Sequence, residues 1–164
     1  MEHIYAPWRT EYVSNKDKSS CVFCDIVSSK EDDELGVLYK DEYCFIVMNK
    51  YPYTPGHFLI IPNFHTDNLE TLNTDVWIRI NILAQQGVAM LKNELNAKGV
   101  NIGMNLGVNA GAGIAEHIHL HLVPRWNNDS NFITTISNSR VYSIDFDKIY
   151  NKLKSKSHLY FKVP

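Results

Sequence analysis

Three histidines alternate with aliphatic residues in His117-Ile118-His119-Leu120-His121-Leu122-Val123-Pro124-Arg125-Trp126. Successive side chains on a strand point to opposite faces, so a period of two puts the imidazoles on one face and Ile118, Leu120 and Leu122 on the other. On a helix His117 and His119 would lie about 200° apart, and Gly111 to Glu116 supplies no helical apolar stripe. The segment reads as a strand. A lone histidine there would be an ordinary structural residue, but imidazole is costly to bury unpaired and titrates near neutrality, so a row of three is a poor way to build a core. One metal ion could take two of them. At roughly 3.3 Å per residue His117 and His121 start about 13 Å apart, whereas zinc holds its nitrogens at about 2 Å. At least one imidazole is therefore left for acid, base or nucleophilic chemistry.

Two further stretches have chemistry in them. Gly107-Val108-Asn109-Ala110-Gly111-Ala112-Gly113 precedes the histidines, and glycine lets successive amides approach a ligand and form an anion-binding concavity. An ordinary hairpin loop would look the same in isolation. Coupled to the imidazole row, it points to phosphoryl or nucleotidyl chemistry. Cys21-Val22-Phe23-Cys24 places two of the three cysteines at metal-ligand spacing; two reduced core thiols are the plain alternative. Cys44, within Tyr43-Cys44-Phe45-Ile46-Val47-Met48, reads as a small buried hydrophobe.

Asn105 through His117-Ile118-His119-Leu120-His121-Leu122-Val123 resembles the signature of the histidine triad (HIT) superfamily, His-φ-His-φ-His-φ-φ with φ apolar. Pro55-Gly56-His57-Phe58-Leu59-Ile60-Ile61-Pro62 is similar to that family's upstream strand, and Cys21 to Ile26 to its zinc-containing start. Tyr51-Pro52-Tyr53, Pro124-Arg125-Trp126, Asp129 and Asn131-Phe132 resemble the branch with bacterial diadenosine tetraphosphate phosphorylases. The resemblance implies that His119 is the nucleophile attacking the α-phosphorus to give a nucleotidyl-imidazole, and that His121 stabilises charge on the phosphoryl and bridging oxygens. It implies that Asn105 and the backbone of Gly111, Ala112 and Gly113 bind phosphate, that Asn49 bonds a ribose hydroxyl, and that Phe23 and Ile26 line the substrate. For His117 it offers two jobs: a hydrogen-bond relay with His57, or completion of a structural zinc site with Cys21, Cys24 and His65. Many members carry Ser or Thr three residues before the first histidine, to protonate a leaving amine. Here that residue is Ile114, which favours a polyphosphate leaving group over a phosphoramidate. Expected substrates are dinucleoside polyphosphates, with water or inorganic phosphate as acceptor and no organic cofactor. Nucleoside phosphoramidate hydrolysis, a nucleotide-binding regulatory module and a metalloenzyme that uses the triad as ligands are the alternatives.

The elements that must hold these residues follow from patterning. Val37 to Tyr39, Tyr43 to Met48 and His57 to Ile61 read as strands, the latter two as antiparallel neighbours across a proline-punctuated turn. Val76, Trp77, Ile80, Leu83, Ala84, Gly87, Val88, Leu91 and Leu95 recur at helical steps, with Asn73 or Thr74 as cap and Gly99 just past the end. Val100 to Leu106 is a further strand, Phe132 to Ile136 an edge strand, and Ser143 to Ser157 a C-terminal helix. The acidic run Glu31 to Glu34 is expected to be a solvated turn, and Tyr5, Trp8 and Tyr12 to pack on the domain. The fold expected is α+β and HIT-like, a mainly antiparallel sheet with one long helix packed on it and a C-terminal helix, in a single domain over residues 1–164.

With 164 residues the chain can bury a sizeable core without disulfides, and the odd cysteine count fits reduced thiols. A formal net charge of −2 carries no basic footprint for a nucleic-acid polymer. No run of eighteen apolar residues suggests a membrane span, and Met1-Glu2-His3-Ile4 lacks the basic start of a secretion signal. A cytoplasmic homodimer is expected, the dimer on the strength of the resemblance.

Overall fold

In the computed structural model, residues 20–127, 136 and 145–162 are described. Five strands form one sheet: β1 (Val37–Lys40), β2 (Cys44–Met48), β3 (Phe58–Pro62), β4 (Gly99–Gly103) and β5 (Leu120–Arg125), in the order β1-β2-β3-β5-β4. Every neighbouring pair is antiparallel. Three α-helices described along their whole length accompany it, α1 (Val22–Ser28), α2 (Thr74–Glu94) and α3 (Phe146–Tyr160). The mainly antiparallel α+β architecture expected from the patterning is the one observed. No helix among the described residues is long and apolar enough to cross a membrane.

Both faces of the sheet centre are covered, which is why β2 and β3 are buried throughout instead of alternating with polar residues. On one face Cys44, Ile46, Met48, Phe58, Ile60, Leu120 and Leu122 meet Ile80, Leu83, Ala84, Met90 and Leu91 of α2 and Ile149, Tyr150 and Leu153 of α3. Gly87 lets α2 settle there, since a Cβ at that position would come within 2.8 Å of both Leu122 and Phe58. The other face is smaller, with Phe45, Val47, Leu59 and Ile61 under Phe23 and Ile26 of α1. Directly paired residues share a face, and Leu59 pairs with His121, so the imidazole row lies on the α1 side.

The long helix begins where the cap was expected: the Asn73 side chain accepts from the Asp75 amide at 2.7 Å. It ends differently. Asn96 takes a left-handed φ of +54° and the Ala97 amide donates back to the Leu91 carbonyl at 3.3 Å, which closes the helix before Gly99. Gly99 instead opens β4, which stops at Gly103, short of the Leu106 expected. β5 likewise starts at Leu120, not at His117. Its Pro124 breaks no ladder bond: the carbonyl accepts from Thr54 Oγ1 at 3.0 Å, and the nitrogen of a strand residue points the same way as its carbonyl, here beyond the paired part of β3.

The acidic run is a turn, as expected, but it also docks α3. Tyr150 donates to Asp33 at 2.9 Å and Lys154 pairs with the same carboxylate. Helix α3 spans Phe146–Tyr160, shifted three residues from the pattern-based placement. Tyr5, Trp8, Tyr12 and residues 132–135 of the expected edge strand lie outside the described residues, and Ile136, the described residue of that stretch, is helical and not extended.

Candidate active site and metal cluster

Ahead of β5 the chain leaves the ladder and is held by other atoms. The Ile118 amide donates to the Thr66 carbonyl at 2.8 Å, and His117 Nε2 donates to the Pro62 carbonyl at 2.9 Å. Having spent Nε2–H on Pro62, neutral His117 keeps its lone pair on Nδ1. That atom lies 3.4 Å from Cys21 Sγ and 3.8 Å from Cys24 Sγ, while His65 Nδ1 lies 3.3 Å from Cys24 Sγ. All four ligand atoms fall within 4.8 Å of one another. A tetrahedral zinc with bonds of about 2.0–2.1 Å to nitrogen and about 2.3 Å to sulfur separates its ligands by roughly 3.3–3.8 Å. The set therefore fits one such ion. Burial and the neighbouring Cys21 raise the Cys24 pKa, so two adjacent thiolates need a cation to coexist. Helix α1 starts at this pair, with Cys21 as its N-cap residue.

His119 is buried at the next position on the same face, its ring 5.2 Å from that of Phe23 and 4.9 Å from that of His121. Its Nδ1 donates to the His117 carbonyl at 2.9 Å, which leaves Nε2 unprotonated in the neutral ring. Burial pushes the His119 pKa down, against the pull of that carbonyl. The ring is thus a neutral imidazole with an available lone pair.

His121 is held from the other side. The Tyr53 amide donates to His57 Nδ1 at 3.1 Å, and the Asn49 amide group also points there at 3.3 Å. With Nδ1 accepting, the His57 proton is on Nε2 and is donated to His121 Nδ1 at 2.9 Å. The proton of neutral His121 is then on Nε2, a buried atom without a hydrogen-bond partner among the described residues. Burial, and the repulsion that a protonated His119 would add, push the His121 pKa down to about 4. Burial, then His121 and His119, push that of His57 down to about 3. A lone pair and an unspent N–H thus sit on adjacent rings of one face, an arrangement suited to attacking an electrophile while donating to an oxygen on it.

The structure brings His57, His117, His119, His121, Phe23 and Asn49 together, and assembles Cys21, Cys24, His65 and His117. Ile26 lies with Phe23 in the small core. Of the two jobs offered for His117, the structure places it with Cys21, Cys24 and His65; His57 meets His121 instead, because register places His57 opposite Val123 and diagonal to His121. Asn49 is turned onto His57, its Oδ1 accepting from the Tyr51 amide at 2.9 Å. The glycine loop is also corrected in part. The amides of Gly111 and Ala112 donate to the carbonyls of Val108 and Gly107, consuming them inside a 3-10 turn with Gly111 at φ +88°. Among the described residues the Gly113 amide has no partner, and Asn105 is half-buried just past β4. Tyr53, an aromatic between two prolines just ahead of Gly56-His57, also belongs to the site, its ring beside those of His57 and His121.

Residues 30–128 match the HIT domain family. The AP-4-A phosphorylase of Mycobacterium tuberculosis is 33% identical over 150 residues, covering 86% of this chain and 76% of that protein. A Zn-bound histidine triad family protein from Mycobacterium smegmatis superposes with a TM-score of 0.70 at 32% identity, over 85% of this chain and 94% of the other. The Plasmodium falciparum diadenosine triphosphate hydrolase, solved in complex with Cyclomarin A, gives a TM-score of 0.63 at 25% identity, over 79% and 81%.

Proposed function

The chain belongs to the HIT domain family, and from that premise we propose that it is a nucleotidyl transferase or hydrolase acting on dinucleoside polyphosphates. The observation that carries the reading is the pair of tautomers, His119 with Nε2 unprotonated and His121 with Nε2–H unspent. His119 Nε2 attacks the α-phosphorus, so a P–N bond forms and the P–O bond to the rest of the polyphosphate breaks. His121 Nε2–H bonds the bridging oxygen as it gains charge, and the polyphosphate departs as an anion that needs no strong proton donor. Ile114, packed against the small core, is in keeping with that leaving group. Water or inorganic phosphate then attacks the nucleotidyl-histidine from the vacated side, breaks the P–N bond and restores the imidazole.

Phe23 and Ile26 offer an apolar wall for the base, Asn105 would bond phosphate, Asn49 would bond the sugar only on turning away from His57, and the Gly113 amide is the loop donor available to an oxyanion. Cys21, Cys24, His65 and His117 would hold a structural zinc, whose part is to fix the peptide that follows His117. The relatives named above support this substrate class, and His119 favours an enzyme over a nucleotide-binding module, since a binder has no need of a nucleophile.

Incubation of the purified protein with diadenosine tetraphosphate, with and without phosphate, tests it. ADP plus ATP formed only with phosphate identifies phosphorolysis, and AMP plus ATP identifies hydrolysis. Absence of both products, together with cleavage of an adenosine phosphoramidate, would replace this reading with the phosphoramidate one.

A further inference from the structure

The turn between β2 and β3 does more than reverse the chain. Thr54, buried, ties it to Pro124 of β5 at 3.0 Å, and the His57 amide donates to the Thr54 carbonyl at 3.1 Å. Gly56 sits at φ +83°, so close to the C-terminal end of α2 that a Cβ would clash with Cδ1 of the capping Leu95 and touch Leu91 of the helix. The turn is thereby fixed to β5 at one point and to α2 at another. Tyr53 stands on this fixed base. Its amide donates to His57 Nδ1, and its ring lies over both imidazoles, 4.9 Å and 31° from His57 and 5.9 Å and 20° from His121. Half of the residue is exposed (50%), so the ring covers the imidazole pair from solvent.

We propose that Tyr53 is a positioning residue for the His57–His121 pair: its amide sets the His57 tautomer, and its ring roofs both imidazoles, so that the His121 Nε2–H is directed into the site. Two separate features of one residue act on the same pair, the amide through the lone pair it occupies and the ring through contact. If His57 carried its proton on Nδ1 instead, that proton would face the Tyr53 and Asn49 donors, and the hydrogen bond to His121 would require His121 to donate from Nδ1. Its Nε2 would then be a bare lone pair, unable to donate to a bridging oxygen. The titratable groups facing His121 are His119 from its own segment, His57 ahead of β3 and Tyr53 from the turn. The catalytic part of this proposal rests on the reading of His121 given above, whereas the tautomer part does not.

Three variants separate ring, hydroxyl and bulk while leaving the amide in place. Tyr53→Phe should keep kcat within about threefold, because the flat face remains. Tyr53→Ala should lower kcat by about tenfold or more, with KM changed less than about threefold, since a misdirected donor weakens the transition state more than the ground state. Tyr53→Leu, which restores bulk without a flat face and suits a half-exposed site, should fall with the alanine variant. The second readout needs no substrate: proton–nitrogen correlation spectra of histidine-labelled protein report tautomer and titration directly. Wild type should show His57 protonated on Nε2 and His121 neutral down to about 4, and Tyr53→Ala should move the His121 titration towards the ordinary value of about 6.5. Spectra unchanged in Tyr53→Ala, or an active enzyme whose kcat holds while they change, overturn the proposal. A wild type that cleaves no dinucleoside polyphosphate, but shows His57 protonated on Nε2 and a His121 titration that moves on Tyr53→Ala, refutes the substrate reading and leaves the positioning of the imidazole pair standing.

Discussion

Acid should unfold this protein through the two imidazoles that the site keeps neutral. His57 is wholly buried with its pKa pushed down to about 3, and His121 is pushed down to about 4. In the unfolded chain both return to about 6.5. The unfolded state therefore takes up protons first as pH falls, and the stability tied to these groups is fully present above about 6.5 and lost progressively down to about 4 and about 3. At pH 5, about 1.5 units below the unfolded value, each ring still neutral in the fold accounts for a loss of about 2 kcal/mol, or roughly 4 kcal/mol for the pair. That is a large share of the roughly 5–15 kcal/mol that holds a domain together. Urea denaturation of wild type and His57→Gln near pH 7.5 and pH 5 reads it as a difference of differences, which cancels acid effects common to both proteins, the cysteine–histidine cluster included. Wild type should lose about 2 kcal/mol more than the variant between the two conditions. Parallel losses would show that His57 is not held neutral, and the chain of tautomers from Tyr53 to His121 would lose its anchor.

Three other outcomes follow from the same contacts. His119→Ala should abolish nucleotidyl transfer and lower stability by about 1–3 kcal/mol for the buried ring, yet leave metal content unchanged, because His119 is no part of the cluster; metal analysis beside turnover checks this. Cys21→Ala and His65→Ala should each lower zinc content and the melting temperature, and chelation should do the same to wild type. Gly87→Ala gains about 1 kcal/mol of helix propensity but forces a methyl within 2.8 Å of Leu122 and Phe58, both fully buried. Overpacking costs about 1–3 kcal/mol, so a thermal melt should show a net loss of a few degrees, larger for Gly87→Val.

The alternation at His117 to Leu122 and the three- and four-residue steps from Val76 to Leu95 were legible because burial imposes those periods directly. The start of β5 was not. Side chains alternate along any extended backbone, paired or unpaired, so the pattern could not tell that His117 to His119 hang from Pro62 and Thr66 instead of from β3. Composition likewise marked the glycine loop without revealing that Gly111 and Ala112 spend their amides inside it. The pairing of His57 with His121 needed the register of β3 on β5, which depends on residues some sixty positions apart and leaves no local trace. For the cluster the position was different, since Cys21 and Cys24 were recognisable by type and spacing and His65 and His117 through the family resemblance, and the fold had only to bring them together.

Three chemically identical side chains on one face are told apart by which ring nitrogen the surroundings occupy. Pro62 takes Nε2–H of His117 and turns Nδ1 to the thiols; the His117 carbonyl takes Nδ1–H of His119 and bares Nε2; His57 fills Nδ1 of His121 and puts its proton on Nε2. The first two assignments meet at one residue. The His117 ring belongs to the cluster while its carbonyl orients His119, so any shift of the ring reaches the lone pair through the residue's own backbone. Occupancy of the cluster and the orientation of His119 are then coupled without a ligand touching both. Removal of metal from the cluster should lower turnover through His119 orientation even where the apolar wall of Phe23 and Ile26 stays in place, and His119→Ala should leave the cluster as it was, an asymmetry that follows from the direction of that single hydrogen bond.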